Sequence, residues 1–128
     1  MTPHLPNVTL ICADTTPKAY LAEQAISLCL AQCTFGAVKL LTNNPRLAFS
    51  VPIPPITGLE GYSRFCIKEM AKHVDTEFAL VCQSDGYIVN GHAWRPEFLY
   101  YDFIGAPFNP SGIVGNGGFS LRSKRLLD

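Results

Sequence analysis

Two apolar runs, each ending abruptly in a polar cluster, organise this chain. Residues 7–13 (NVTLICA) stop at Asp14, Thr15, Thr16 and Pro17, and Phe78 to Cys82 (FALVC) stop at Gln83, Ser84, Asp85 and Gly86. Continuous runs of this length suit strands buried on both faces of a parallel sheet. Between them, residues 18–33 (KAYLAEQAISLCLAQC) place Leu21, Ala25, Leu28 and Cys29 on one helical face, widened by Ala22, Ile26, Leu30 and Cys33. That spacing predicts a mostly covered helix, with Pro17 in its first turn and Thr15 or Thr16 as its cap. Ala37 to Thr42 (AVKLLT) reads as a further strand that ends at the turn residues Asn43, Asn44 and Pro45. Strand, helix, strand is the βαβ unit, for which a right-handed crossover is expected.

Residues 46–56 (RLAFSVPIPPI) contain Pro52, Pro54 and Pro55, which excludes a central strand and predicts an edge strand or an extended connection. Thr57 and Glu60 stand in the capping-box arrangement, and Leu59, Tyr62, Cys66 and Met70 recur on one face, predicting a helix over 58–73. The aromatic segment 92–108 is expected to fold over the ligand edge of the sheet. Phe119 to Leu121 reads as a short strand, and Ser123 as the cap of a helix that has barely begun at Asp128. The pattern predicts an α/β fold: a Rossmann-like three-layer α/β/α arrangement with a mostly parallel sheet, one domain over 1–128. A helix that stops as it starts reads as part of a larger domain, whose uncovered edge predicts self-association into a homo-oligomer.

Composition narrows the function classes. The chain has 128 residues, 48% of them hydrophobic and 16% charged, so one domain with much buried surface is expected. Ten basic and ten acidic residues cancel, leaving no field for a nucleic acid. No run nears the roughly 18 apolar residues of a membrane span, and no basic leader precedes an apolar stretch, so a cytoplasmic location is the default expectation. Cys12, Cys29, Cys33, Cys66 and Cys82 are odd in number and form no CxxC pair, which favours reduced, buried thiols.

The chemistry is expected where the strands end. Open α/β sheets bind ligands outside the carboxyl ends of their strands, so Asp85 at the end of FALVC can face a cation or a polar substrate. The plainer reading is a turn-forming Asp before Gly86. Asp14 divides more evenly between a site residue and a helix cap. Gly115, Gly117 and Gly118 permit close backbone approach, or serve conformation alone. Asp102 and Trp94 are expected to be structural, with stacking on a ligand ring open to His92 and Trp94, His4 to lie in a flexible terminus, and His73 to favour the end of its helix.

The order VTLICAD, FALVCQSDGYI, WRPEFLYYDFIGAP and VGNGGFSLRS resembles a family of glycosyltransferase-like proteins, largely of unassigned function, with a GT-A type nucleotide-sugar fold. The resemblance covers roughly Asn7 to Asp128. It implies transfer of a sugar from a nucleoside diphosphate sugar to an unknown acceptor, assisted by Mn²⁺ or Mg²⁺. It implies Asp85 as the metal-side acid, Asp14 and Thr15 near the nucleotide, and Asn116, Gly117, Gly118, Ser120 and Arg122 near the donor sugar and phosphates. It names no catalytic residue. Gln83 stands where the commoner Asp-x-Asp motif has its first acid, and a downstream acid and His are missing. The alternative is therefore a non-catalytic nucleotide-sugar-binding or protein-interaction module that keeps the fold. A dinucleotide-dependent oxidoreductase is disfavoured, because no GxGxxG follows the first strand.

Overall fold

The computed structural model describes residues 3–83, 88, 96–100, 103–108 and 113–127. Among these residues six strands and three helices follow one another as β1 (His4–Ala13), α1 (Ala19–Leu30), β2 (Thr34–Thr42), β3 (Ser50–Pro52), α2 (Gly58–Lys68), β4 (Phe78–Val81), β5 (Phe103–Phe108), β6 (Ile113–Ser123) and α3 (Lys124–Leu127). A 3-10 turn at Met70–His73 leads into β4, and another at Pro96–Tyr100 precedes β5. The strands form one sheet in the order β3-β2-β1-β4-β6-β5. β1 pairs in parallel with β2 and β4, and β2 with β3, whereas β6 is antiparallel to both β4 and β5. The sheet is thus mostly parallel, with β6 alone reversed.

The strand period of two decides what each helix covers. Val8, Leu10, Cys12, Leu40, Phe78 and Leu80 pack with Ala22, Ile26 and Cys29 of α1. Ile11, Ala13, Leu41, Ala79 and Val81 point the other way and pack with Met70 and Val74, joined by Tyr62 and Phe65 of α2. Helices therefore lie on both faces, as opposite crossover directions of one hand require: α1 carries the chain from β1 to β2, and α2 carries it back past β1 to β4. Leu10, Ile11, Leu40 and Leu41 are fully buried, each contributing about 1.5–3 kcal/mol by leaving water.

Several expected details differ. The buried face of α1 is Ala22, Ala25, Ile26 and Cys29, whereas Leu28 is 47% exposed and Tyr20 50%. A one-sided contact with the sheet needs only this narrower stripe. α1 begins after Lys18 without a side-chain cap, and Thr16 Oγ1 instead accepts the Lys18 N–H at 3.1 Å. Thr57 does occupy the position before α2, with extended backbone, yet its hydroxyl makes no capping bond, and Glu60 pairs with Arg64 at 3.5 Å. The predicted helix over 58–73 is α2 followed, after Glu69, by the 3-10 turn. Part of the aromatic segment, Phe103–Phe108, is strand β5 rather than a cover, and the short strand at Phe119 is the end of the longer β6. The proline-rich 46–56 stretch does yield an edge strand, β3. His4 lies within β1, its Nδ1 hydrogen-bonded to Thr34 Oγ1.

Candidate functional site

The chain reverses its direction of travel across the sheet between β1 and β4, which makes this pair the topological switch point. Both strands extend one residue further at their carboxyl ends: Asp14 N–H donates to Leu41 O at 2.9 Å, and Cys82 N–H to Ile11 O at 3.0 Å. Asp14, at the end of β1, and Gln83, just past the end of β4, both reach this carboxyl edge. They open into a cleft of about 360 Å³ lined by Cys12, Ala13, Asp14, Thr15, Thr16, Ile56, Gly58, Tyr62 and Gln83. That volume is at the lower end for small-molecule sites.

Local hydrogen bonds set the shape of the wall. Asp14 Oδ1 accepts from Thr16 N–H at 2.8 Å and from Thr16 Oγ1 at 2.7 Å, an Asx turn that folds the β1–α1 loop back on itself. Thr15 Oγ1 accepts the Ile56 N–H at 2.8 Å, tying that loop to the entry of α2. Within the lining, Gln83 Nε2 donates to Tyr62 Oη at 3.0 Å. Gly58, with φ +67°, lets the chain enter α2 in the left-handed region that side chains disfavour. Ile56 and Tyr62 contribute apolar surface to the lining, and Asp14 and Gln83 polar groups.

Buried sulfur lies behind this wall. Cys12, Cys29, Cys33 and Cys82 are buried free thiols, and the side chain of Cys66 lies outside the described set. Cys29 Sγ accepts the Ile88 N–H at 3.4 Å. A hydrogen bond from the Cys82 thiol pulls the Cys29 thiol below its usual range; burial opposes this and the Ile88 bond adds to it. Cys82, which hydrogen-bonds Cys12 and Cys29 and is buried, is pushed far up and stays protonated. These thiols act as core.

The site residues expected from sequence divide into three groups. Asp14 and Thr15 line the cleft. Ser120 and Arg122 stand two residues apart on β6 opposite Val81 and Ala79, and Ser120, only 2% exposed, accepts from Arg122 Nε at 3.0 Å. Both are thus held by the sheet. Asn116, Gly117 and Gly118 precede Ser120 on antiparallel β6, so the register carries them past the carboxyl end of β4, the end where the cleft opens. Asp85, His92, Trp94 and Asp102 lie outside the described residues. His73 ends the 3-10 turn after α2, at the helical end expected of it; burial and then the nearby Lys39 ammonium push its imidazole down, and it stacks on Phe65 at 6.2 Å.

Tyr62, Ile56 and Gly58 were not singled out by sequence. Tyr62 carries the same apolar-face signal as Met70, and only the switch-point topology turns it toward the cleft. For a divalent cation, the described lining supplies one carboxylate, Asp14, with Oδ1 already engaged, and a neutral carboxamide, Gln83. Among the described residues no three His, Cys, Asp or Glu side chains converge, so these residues alone do not fit a cation. Among them, too, no helix is long and apolar enough to cross a membrane.

Neither a curated protein nor a solved structure matches the chain. A family profile described as proteins of unknown function, DUF5672, matches residues 48–127, which run from just before β3 to the end of α3. That stretch is well over half of the sequence, and the chain belongs to this family.

Proposed function

We propose that the chain is a glycosyltransferase-like domain of GT-A type that binds a nucleoside diphosphate sugar and transfers its sugar to an acceptor. The observation that carries this reading is the cleft at the β1–β4 switch point, with Asp14 and Thr15 on its wall. The strand order β3-β2-β1-β4 is shared with nucleotide-binding doubly wound sheets, and helices on both faces support a Rossmann-like three-layer arrangement. Asp14 offers an acceptor for ligand hydroxyls, and the apolar surface of Ile56 and Tyr62 suits a planar ring. The glycine-rich start of β6 lets backbone approach the donor sugar.

The lining described above does not complete a metal site. Mn²⁺ or Mg²⁺ would draw on Asp85 and on the ligand's phosphate oxygens, neutralising charge on the leaving diphosphate. The work of this chain's described residues is binding and orientation. Gln83, neutral where related motifs carry an acid, favours a second reading in which the domain binds sugar nucleotides without turning them over.

Thermal unfolding with UDP or GDP, with and without Mn²⁺, tests the binding. At ligand near 100 times its Kd the stabilisation is about 2.7 kcal/mol, an upward shift of roughly 10 °C for a chain this size. The shift should shrink in Asp14→Ala and lose its metal dependence in Asp85→Ala. No shift with any nucleotide, with or without metal, would refute the proposal. Sugar-nucleotide turnover abolished by Asp85→Ala would exclude the second reading.

A further inference from the structure

Most polar groups on the cleft wall are committed to one another. Asp14 Oδ1 is shared by the Thr16 amide and hydroxyl, Thr15 Oγ1 takes the Ile56 amide, and Thr16 Oγ1 takes the Lys18 amide. Three side-chain groups of the described lining keep hydrogen-bonding capacity: the Thr15 O–H, Asp14 Oδ2 and the remainder of the Gln83 carboxamide. Gln83 is half-buried, and the bond to Tyr62 uses one of its two N–H donors, leaving one N–H and Oε1. Because Tyr62 belongs to α2 and Gln83 follows β4, this bond also fixes the carboxamide between two elements. A planar group with a donor adjacent to an acceptor is its complement. Such an edge is found on a nucleobase, and Asp14 in the same lining would take the ribose hydroxyls.

We propose that Gln83, oriented by Tyr62, is the base-contacting residue of the cleft and pairs with the donor–acceptor edge of the nucleobase. The inference rests on the nucleotide reading given above. Its consequence is a rule for Gln83→Glu. A carboxylate accepts twice and donates nothing, so it complements an edge with two adjacent donors. Guanine has that edge at N1–H and N2–H. Uracil, whose N3–H is flanked by carbonyl oxygens, would set a carbonyl against a carboxylate oxygen. The added charge repels the diphosphate of every nucleotide alike, so this penalty cancels from a ratio of affinities.

The test measures Kd for UDP and GDP by titration calorimetry with the parent chain, Gln83→Glu and Tyr62→Phe. The UDP-to-GDP affinity ratio should move toward GDP by about tenfold or more in Gln83→Glu, the discrimination expected of a two-bond base contact. Tyr62→Phe, which frees the carboxamide to rotate, should weaken both nucleotides with little change in their ratio, because uracil and guanine each offer a donor–acceptor edge. If Gln83→Glu fails to fold, Gln83→Ala should weaken both nucleotides alike. A parent protein that binds both nucleotides, with affinities and ratio unmoved in every variant, overturns this inference and leaves the nucleotide reading intact. A parent that binds neither overturns both.

Discussion

Gly36→Ala should destabilise the protein although Gly36 is exposed and lies in a strand, where alanine is ordinarily the better residue. Opposite Gly36 the β1–β2 ladder is irregular: Leu5 pairs with Phe35 and Thr9 with Ala37, so Pro6, Asn7 and Val8 span the place of one residue. The bulge drives the Pro6 carbonyl against Gly36. A Cβ there would overlap the Pro6 oxygen, lie 3.0 Å from its carbonyl carbon and touch Thr76 Cγ2 at 3.4 Å. The obstacle is backbone, so relief requires β1 to shift rather than a side chain to rotate. Overpacking of this kind costs about 1–3 kcal/mol, and the gain of alanine over glycine in a strand offsets about 0.5–1. The net loss is roughly 1–2 kcal/mol. With about 2.1 cal/mol/K of unfolding entropy per residue over 128 residues, each kcal/mol moves Tm by roughly 4 °C, so a fall of about 4–8 °C is expected.

Gly61→Ala supplies the opposite sign from the same chemical change. Gly61 lies inside α2, where a Cβ would meet nothing nearer than Thr57 Oγ1 at 3.5 Å and Ile56 Cγ2 at 3.7 Å. Helix propensity then predicts a gain of up to about 1 kcal/mol. Calorimetry or circular-dichroism melts of both variants decide the matter. A Gly36→Ala protein as stable as the parent would show that the β1 bulge does not press on β2 as described.

Other substitutions probe the core, the cleft and the His73 surroundings. Leu10→Ala, at a fully buried position in the central strand, should cost about 2–5 kcal/mol in denaturant unfolding. Lys39→Met keeps the aliphatic stem but removes the bonds from Nζ to His73 O at 2.6 Å and Asp75 Oδ2 at 3.1 Å; about 1 kcal/mol should be lost, while Asp75→Asn, at a side chain 79% exposed, should change stability little. Asp14→Asn keeps an Oδ1 acceptor for the Thr16 amide, so its melt should stay near the parent's while nucleotide affinity falls; equal losses of both would make Asp14 a structural cap alone. His73 has a depressed folded-state pKa, so the unfolded chain protonates first: stability is full above about pH 6.5 and declines as pH falls from there toward the folded value, a decline that His73→Gln should diminish.

The parts of the fold that sequence exposes are those decided within a few residues. The apolar run at Phe78 marks β4, the prolines after Val51 keep β3 at the edge, and Thr57 marks the start of α2. The strand β5 escapes the same reasoning. FIGAPF holds a glycine and a proline that argue against a strand, and it is one because β6 pairs with it, with register breaks at Gly105/Ala106 and Ala106/Pro107. Helix faces err in the same way: Leu28 has the right spacing, yet α1 turns its small residues, Ala22 and Ala25, toward the sheet.

The candidate site shows where local reading stops. Each strand end announces a polar cluster, and Asp14 and Thr15 do line the cleft. What makes a cleft of them is the reversal of chain direction between β1 and β4, a property of the whole strand order. That reversal brings the start of α2 over the strand ends, so that the Ile56 amide reaches Thr15, 41 residues back, and Tyr62 reaches Gln83, 21 residues ahead. Tyr62 and Gln83 each have a sufficient local explanation, as a helix-face aromatic and as a residue displacing an acid, and neither explanation mentions the other. Their hydrogen bond alters both: a neutral carboxamide held rigid between two elements is better suited to discriminate among ligands than to hold a cation. The chemistry of the described cleft therefore leans toward recognition rather than cation binding.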